Sequence, residues 1–306
     1  MNAEELRKEF DHTYTFQRNI QNDKKSYESL VELYNIINTT DSRSILLDFS
    51  KVSFLSANLL ALLGACVDNE TAKTKERIAI CNLEKKIKAV MQKNGFHRYF
   101  KWEHIKDTYN TTVDYKVFFA NTQQLVDFEK YLQINIFSRN ELPLMNERFK
   151  TEIIDNFLEM FNNVIDHAHS DRVYVCGQFF HRSSNLAFTI VDIGKTINEN
   201  VTNYFQMHAK EFDENSLEWA IKLGNSTKGG SEPGGLGFGM LLKFLKLNKG
   251  KFDLLSKNEF YSLNQNRERF SYLDNSFPGT IVTITINLAD DSIYMLDEAK
   301  QNMIIF

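Results

Sequence analysis

The stretch NERFKTEIIDNFLEMFNNVIDHAH, residues 146–169, decides the fold prediction for this chain. Its apolar residues recur at helical spacing, which predicts one long helix. Four polar side chains recur every four residues and therefore form one stripe along that helix: Asp155, Glu159, Asn163 and His167. The remaining circumference is largely apolar, so we expect the helix to be packed in a core. The stripe is then either a solvated face or the wall of a cavity.

The composition of the whole chain argues against several classes of protein. Its 306 residues are 42% hydrophobic and 25% charged, as in an ordinary globular protein. The formal net charge of -4 argues against a nucleic-acid partner held by broad electrostatic attraction. No apolar run approaches the roughly 20 residues that span a bilayer, and the first residues lack the order of a signal peptide. We therefore expect a cytoplasmic protein with neither a membrane nor a nucleic-acid partner.

Two predicted strands follow the long helix and form a hairpin. Residues 172–180 and 186–194 are apolar runs joined by a short polar connection, which is the pattern of an antiparallel pair. The second run ends in Asp192 and Gly194, an acid followed by a residue that lets the backbone turn tightly. Further along we predict helices near 213–223 and at 238–248, and strands at 251–256, 259–263 and 279–287, the last with one buried face.

Glycine is concentrated in one place. The stretch GGSEPGGLGFGMLL, residues 229–242, holds six of the 13 glycines and runs directly into the helix predicted at 238–248. Two interpretations are open: a flexible surface loop, or a backbone that approaches a phosphate closely at a helix N-terminus. The stretch is not a P-loop, because no GK[ST] follows it.

The first hundred residues alternate strands with helices. Residues 44–49 and 76–83 read as buried strands, and residues 24–38 and 84–96 read as amphipathic helices. Residues 51–70 begin as a strand and become helical. This alternation predicts βαβ units around a mainly parallel or mixed sheet.

Four motifs between residues 117 and 289 resemble, in the correct order, the GHKL or Bergerat-fold ATPases. They are EMFNN (159–163), DIGKT (192–196), GLGFG (235–239) and the strand PGTIVTITI (278–286). The resemblance implies a Bergerat-fold α/β sandwich, with a mixed sheet covered by helices on one face. Histidine kinases of this superfamily usually carry Asn at the position of Glu159, so the resemblance favours an ATPase or a serine kinase.

The same resemblance assigns site roles, with ATP and Mg²⁺ as the ligands. Asn163 would bind Mg²⁺ through its amide oxygen, and Glu159 would polarise the group that attacks the γ-phosphate. Asp192 would accept a hydrogen bond from the adenine amino group, and Gly194 would leave room for the ring. The phosphate contacts implied are Thr227, Lys228, Gly235, Gly237 and Gly239. Thr196 stands where the family usually has a second glycine.

Residues 1–104 resemble a STAS domain, the interaction module of anti-sigma-factor antagonists. The resemblance rests on LLDFSKVSFLS, the helix after it and VMQKNGF. Regulated members carry Asp-Ser-Ser-Gly where this chain reads Ser56, Ala57, Asn58 and Leu59, so the module is degenerate as a phosphoacceptor. We expect a linker or extra strand at 105–116, the ATPase domain at 117–289 and a tail at 290–306.

Together the two resemblances imply a slow Mg-dependent ATPase that acts as a nucleotide-driven switch, with a lid at 195–234. Two alternatives stay open. One is a serine/threonine kinase of a partner-switching circuit acting on a separate STAS protein, and the other is an ATP sensor that does not hydrolyse. A protein partner of STAS or signalling type and a homodimer are also implied.

Overall fold

The computed structural model describes residues 3–39, 44–68, 77–222, 238–296 and 303–305. Within these ranges the chain is a mixed α/β protein, as predicted. Its strands are β1 (His12–Thr15), β2 (Ser44–Asp48), β3 (Arg77–Cys81), β4 (Thr112–Phe119), β5 (Leu144–Met145), β6 (Arg172–Phe180), β7 (Asn185–Asp192), β8 (Lys251–Asn264), β9 (Arg267–Asn287), β10 (Ile293–Leu296) and β11 (Met303–Ile305). Its helices are α1 (Ala3–Glu9), α2 (Lys24–Thr39), α3 (Leu60–Val67), α4 (Lys85–Lys93), α5 (Thr122–Leu132), α6 (Glu147–Asn163), α7 (Ile197–Met207), α8 (Ser216–Ile221) and α9 (Gly239–Asn248). None of the described helices has the length and apolar character needed to cross a bilayer.

The N-terminal third is built on a parallel sheet of β1, β2 and β3 in that order. Every residue of β2 is buried, as its continuous apolar sequence predicts. The predicted strands β2 and β3 and the predicted helices α2, α3 and α4 are confirmed within a few residues at their ends. The sequence pattern does not predict β1 or α1.

The larger sheet has the strand order β4-β6-β7-β9-β8, and every neighbouring pair in it is antiparallel. The predicted mixed sheet is therefore wrong for this sheet. Short turns explain the difference, because β6 leads to β7 and β8 leads to β9 through tight connections that only antiparallel neighbours allow. The predicted hairpin at 172–180 and 186–194 is confirmed as β6 and β7.

One face of this sheet is covered by α5, α6 and α9. Helix α6 continues as a π-helical turn (Val164–Ala168), so the helix predicted at 146–169 is confirmed. Its apolar side packs on the strands: the Phe157 ring lies 5.8 Å from the Phe188 ring, edge to face. The long helix is thus a core element, as its apolar circumference predicts.

The opposite face of the same sheet is covered by α2 and α3 of the N-terminal third, so the expectation of helices on one face alone is wrong. The Asn58 amide donates to Thr189 Oγ1 at 2.8 Å, and the Tyr27 hydroxyl donates to Asp253 Oδ2 at 3.2 Å. Strand β9 consequently has buried side chains on both faces, where the sequence predicts one buried face. A polar residue such as Thr283 would be expected on a solvent-exposed face of the strand. It is buried here because its hydroxyl hydrogen-bonds to the hydroxyl of buried Thr189.

Strand β9 also extends well beyond the predicted strand at 279–287. Its neighbour β7 pairs only with residues 280–287, so it does not reach the first half of β9. Helix α2 lies there instead. The Asp274 backbone N–H donates to Glu28 Oε1 at 3.0 Å, and the Asn35 amide donates to the Ser276 carbonyl at 3.1 Å.

The predicted linker and tail both contain strand residues. Strand β4 begins at Thr112, inside the range 105–116, and its Val113 and Tyr115 are buried on opposite faces of the sheet because a bulge interrupts the pairing between them. The bulge hides the alternation that would have marked a strand in the sequence. In the predicted tail at 290–306, β10 and β11 join β5 in a small sheet.

Candidate functional site

The polar stripe of α6 changes its surroundings along the helix. The helix begins at an Asn146 cap, whose side chain accepts from the Phe149 N–H at 2.9 Å. Asp155 is exposed, whereas Glu159, Asn163 and His167 are partly buried. The interpretation as a solvated face therefore applies only to Asp155. The other three side chains, toward the C-terminal end of the helix, are partly covered by protein.

Asn163 has an unsatisfied group. Its side-chain nitrogen Nδ2 is buried and has no hydrogen-bond partner in the described part of the chain. A buried donor without a partner costs about 1–3 kcal/mol, so its presence needs an explanation, and a bound ligand is one such explanation. An amide offers an oxygen to a cation and two N–H donors to an anion, which is what a metal–phosphate ligand requires.

Asp192 lies at the carboxyl end of β7 and is 4% exposed. Burial raises the pKa of its carboxyl to about 7, although hydrogen bonds from the side chain and backbone of Thr280 act in the opposite direction. The atom Oδ1 is buried and lacks a partner among the described residues. Asp192 therefore has a free acceptor in a site from which water is largely excluded.

The segment after β7 is held against the end of α6. A Cβ on Gly194 would come within 2.3 Å of the Ala168 carbonyl oxygen, so only glycine fits there. The Lys195 N–H donates to that same oxygen at 2.7 Å, and the Asn200 amide donates to the His167 carbonyl at 3.2 Å. Close packing against the end of α6 therefore requires glycine at position 194, whereas the sequence suggests only a tight turn and room for a ring.

Thr196, the departure from the usual second glycine, begins α7. Its hydroxyl accepts from the Glu199 N–H, and the Glu199 side chain accepts from the Thr196 N–H at 2.7 Å, which forms a capping box. Helices α7 and α8 are both attached to β8: the Ile197 N–H donates to Ser256 Oγ, and the Leu217 N–H donates to Glu259. The described part of the predicted lid at 195–234 is therefore anchored to the sheet.

Helix α9 begins beside α6. Its first turn donates a hydrogen bond to the neighbouring helix, from the Leu241 N–H to Asn156 Oδ1 at 3.0 Å. Gly239 is the first residue of α9 and is exposed. The N-terminal end of a helix carries free N–H groups and a partial positive charge, so this end can hold an anion.

The predicted site residues that the structure describes lie on α6 or on segments bonded to it. Glu159 and Asn163 lie in the second half of α6, and Gly194 contacts its π-helical extension two residues after Asp192. Gly239 begins α9, whose first turn bonds to Asn156 in the middle of α6. Four further predicted residues, Thr227, Lys228, Gly235 and Gly237, lie outside the described residues.

Two residues at this site are missed by the sequence analysis. Thr280 bonds to the Asp192 carboxyl, and Gly279, with φ of +125°, passes so close to Asp192 that a Cβ would lie within 2.2 Å of its carbonyl oxygen. The signal was present in PGTIVTITI, where glycine and threonine open the strand opposite Asp192.

The described residues hold no group of three or more His, Cys, Asp or Glu side chains that could bind a metal ion. A magnesium ion held by one amide and by phosphate oxygens needs no such group. No protein-family model matches the chain, and no curated protein matches it.

Proposed function

We propose that residues 117–289 form a Bergerat-fold site that binds ATP with Mg²⁺ and hydrolyses it slowly, and that residues 1–104 are a STAS-like module. The observation that carries the proposal is the buried Asp192 carboxyl with its unpartnered Oδ1. An exocyclic amino group would supply the missing donor, and adenine carries one. The attachment of the segment after β7 to α6 puts this acceptor in the same part of the fold as Glu159 and Asn163.

The side chains of α6 suit the phosphate end of such a ligand. Asn163 would bind Mg²⁺ through its amide oxygen and donate its unpartnered nitrogen to a phosphate oxygen. The ion would neutralise charge on the phosphates. Glu159, one turn earlier on the helix, would accept the proton of a water that attacks the γ-phosphate, while the bond from the γ-phosphorus to the bridging oxygen breaks and ADP is released.

The N-terminal end of α9 would complete the cradle. Gly239 and the preceding Gly235 and Gly237 would offer backbone N–H groups, and the helix dipole favours the negative phosphates there. Thr227 and Lys228 would contact the β- or γ-phosphate. A nucleotide-dependent change in the contacts with a protein partner or a second copy of the chain is the switch that we propose from the resemblance.

Calorimetric titration of ATP–Mg²⁺ into wild-type protein and Asp192→Asn tests the proposal. Loss of the charge-assisted hydrogen bond should weaken ATP binding about 10- to 100-fold. Asp253→Asn is the matched control, because Asp253 is an equally buried carboxylate of the same sheet that bonds to Tyr27 on the opposite face. Absence of ATP binding in the wild type, or equal weakening in both variants, would contradict the proposal.

A serine/threonine kinase acting on a separate STAS protein is the second candidate. One observation bears on its substrate: Ser56 is 4% exposed and Asn58 is fully buried against the sheet. The chain's own STAS-like positions are thus covered, so a phosphoryl acceptor has to come from another protein. Label from γ-³²P-ATP on an added STAS protein would support the kinase, free phosphate would support the ATPase, and bound but uncleaved ATP would support a sensor.

A further inference from the structure

Helix α9 lacks a cap of its own. The residue before its first turn is Phe238, which has no side-chain oxygen to accept from the free N–H groups. The third N–H of the helix, that of Leu241, is the one that a capping side chain usually binds. Here it donates to Asn156 Oδ1 at 3.0 Å, so α6 provides the cap from outside the helix.

The capping amide is itself held in place. Its nitrogen donates to the Glu152 carbonyl one turn earlier in α6, at 2.8 Å. This bond determines which end of the amide points to α9. Asn156 lies three residues before Glu159 and seven before Asn163, which places it on the same side of α6 as both.

We propose that Asn156 is a positioning residue that fixes the N-terminal end of α9 to α6, and thereby sets the phosphate-binding N–H groups relative to Glu159 and Asn163. This inference rests on the proposed function, because it takes the start of α9 as the phosphate end of the site. The hydrogen bonds of Asn156 go to Glu152 and Leu241, on α6 and α9. Asp192 and Thr280, which belong to the proposed adenine end, lie on strands β7 and β9.

The consequence is a selective effect on the triphosphate. Without the cap, the first turn of α9 loses a fixed N–H group and frays, while the body of the helix stays packed through Phe244 and Leu245. Adenosine, which has no phosphate, should not sense the change. ATP binding should weaken by up to about fivefold, which is the factor that corresponds to the usual stability contribution of one helix cap.

Calorimetric titrations of adenosine and of ATP–Mg²⁺ into Asn156→Ala test the inference on the full chain. The matched control is Asn121→Ala. Asn121 is the N-cap residue of α5 and likewise accepts from the third N–H of its helix, that of Gln124, at 2.9 Å. Both variants should lose similar thermal stability, but only Asn156→Ala should raise the ratio of the ATP to the adenosine dissociation constant.

The outcomes separate this inference from the proposed function. A wild type that binds neither ligand overturns both. Suppose that the wild type binds ATP and that Asn156→Ala leaves the ratio of the two dissociation constants unchanged, even if both ligands bind more weakly. This result overturns only the role of Asn156. Asn156→Leu fills the side-chain space without an acceptor and serves if the alanine variant does not fold. Failure of both to fold, while Asn121→Ala folds, would also overturn the positioning role.

Discussion

The protonation state of the Asp192 carboxyl should differ between the free protein and the proposed complex with a nucleotide. In the free protein burial raises its pKa to about 7, so the protonated form is well populated near neutral pH. A ligand amino group that donates to Oδ1 favours the ionised form. Nucleotide binding, as we propose it, would therefore be linked to proton release at this residue.

The first residue-scale prediction concerns stability against pH. The pKa of Asp192 is raised in the folded protein from an unfolded value near 4, so its contribution is fully present below pH 4 and is lost as pH rises toward 7. The loss is up to roughly 1.4 kcal/mol per pH unit in that window. Chemical denaturation of the free protein at pH 5 and pH 8 should show this decrease, and Asp192→Asn should show less of it. An identical decrease in the variant would contradict the assignment.

The second residue-scale prediction concerns Glu159. Glu159→Gln keeps the size and polarity of the side chain but removes its ability to take a proton, so turnover should fall about 10²- to 10⁴-fold. The dissociation constant for ATP should stay within about twofold, because the amide occupies the same space. Phosphate release and titration on one preparation measure both. Wild-type turnover in this variant would exclude Glu159 as the base.

At the scale of elements, the sequence predicts a helix or strand most accurately where a single local pattern covers the whole element. The spacing of apolar residues predicts α6, and apolar runs separated by a polar turn predict β6 and β7. The polar residues of α6 and Asp192 are predicted with them, because their chemistry is carried by the same short motifs. Local patterns therefore predict these elements and the positions of Glu159, Asn163 and Asp192 on them, while the roles of the three residues stay predictions.

Elements whose environment comes from distant parts of the chain are not predicted. The first half of β9 carries polar and apolar residues without a clean alternation, since α2 supplies its neighbours across more than two hundred residues of sequence. Thr280 and Asn156 are missed for a similar reason. Each acts on a group in another element. The motif PGTIVTITI marks the strand that carries Thr280, but the sequence alone does not show which group either residue contacts.

At the scale of the whole molecule, the two predicted modules share a core. Side chains of α2 and α3 and side chains of the five-stranded sheet form one continuous apolar cluster, crossed by the Asn58–Thr189 hydrogen bond. A switch in which the N-terminal third swings freely on a linker is not compatible with this packing. Changes on nucleotide binding would instead have to pass through the sheet.

The chain's two tryptophans allow a whole-molecule prediction to be tested. Trp102 stacks on Phe100 beside the N-terminal third, and Trp219 packs against Phe205 on the far side of the sheet. Because the core is shared, Trp102→Phe and Trp219→Phe should report the same urea midpoint by fluorescence of the remaining tryptophan. Circular dichroism of each variant controls for altered stability. Separate midpoints for the two reporters would indicate modules that unfold independently.

The contact of α2 with β9 has a practical consequence. A strand edge with free N–H and carbonyl groups is a template for pairing with other chains, and proteins commonly cover such edges. Glu28 and Asn35 occupy that edge here, and the helix that carries them also covers an apolar sheet face. Removing the N-terminal third would uncover both, so a fragment of residues 105–306 should self-associate. We therefore expect the N-terminal third also to protect the rest of the chain from self-association.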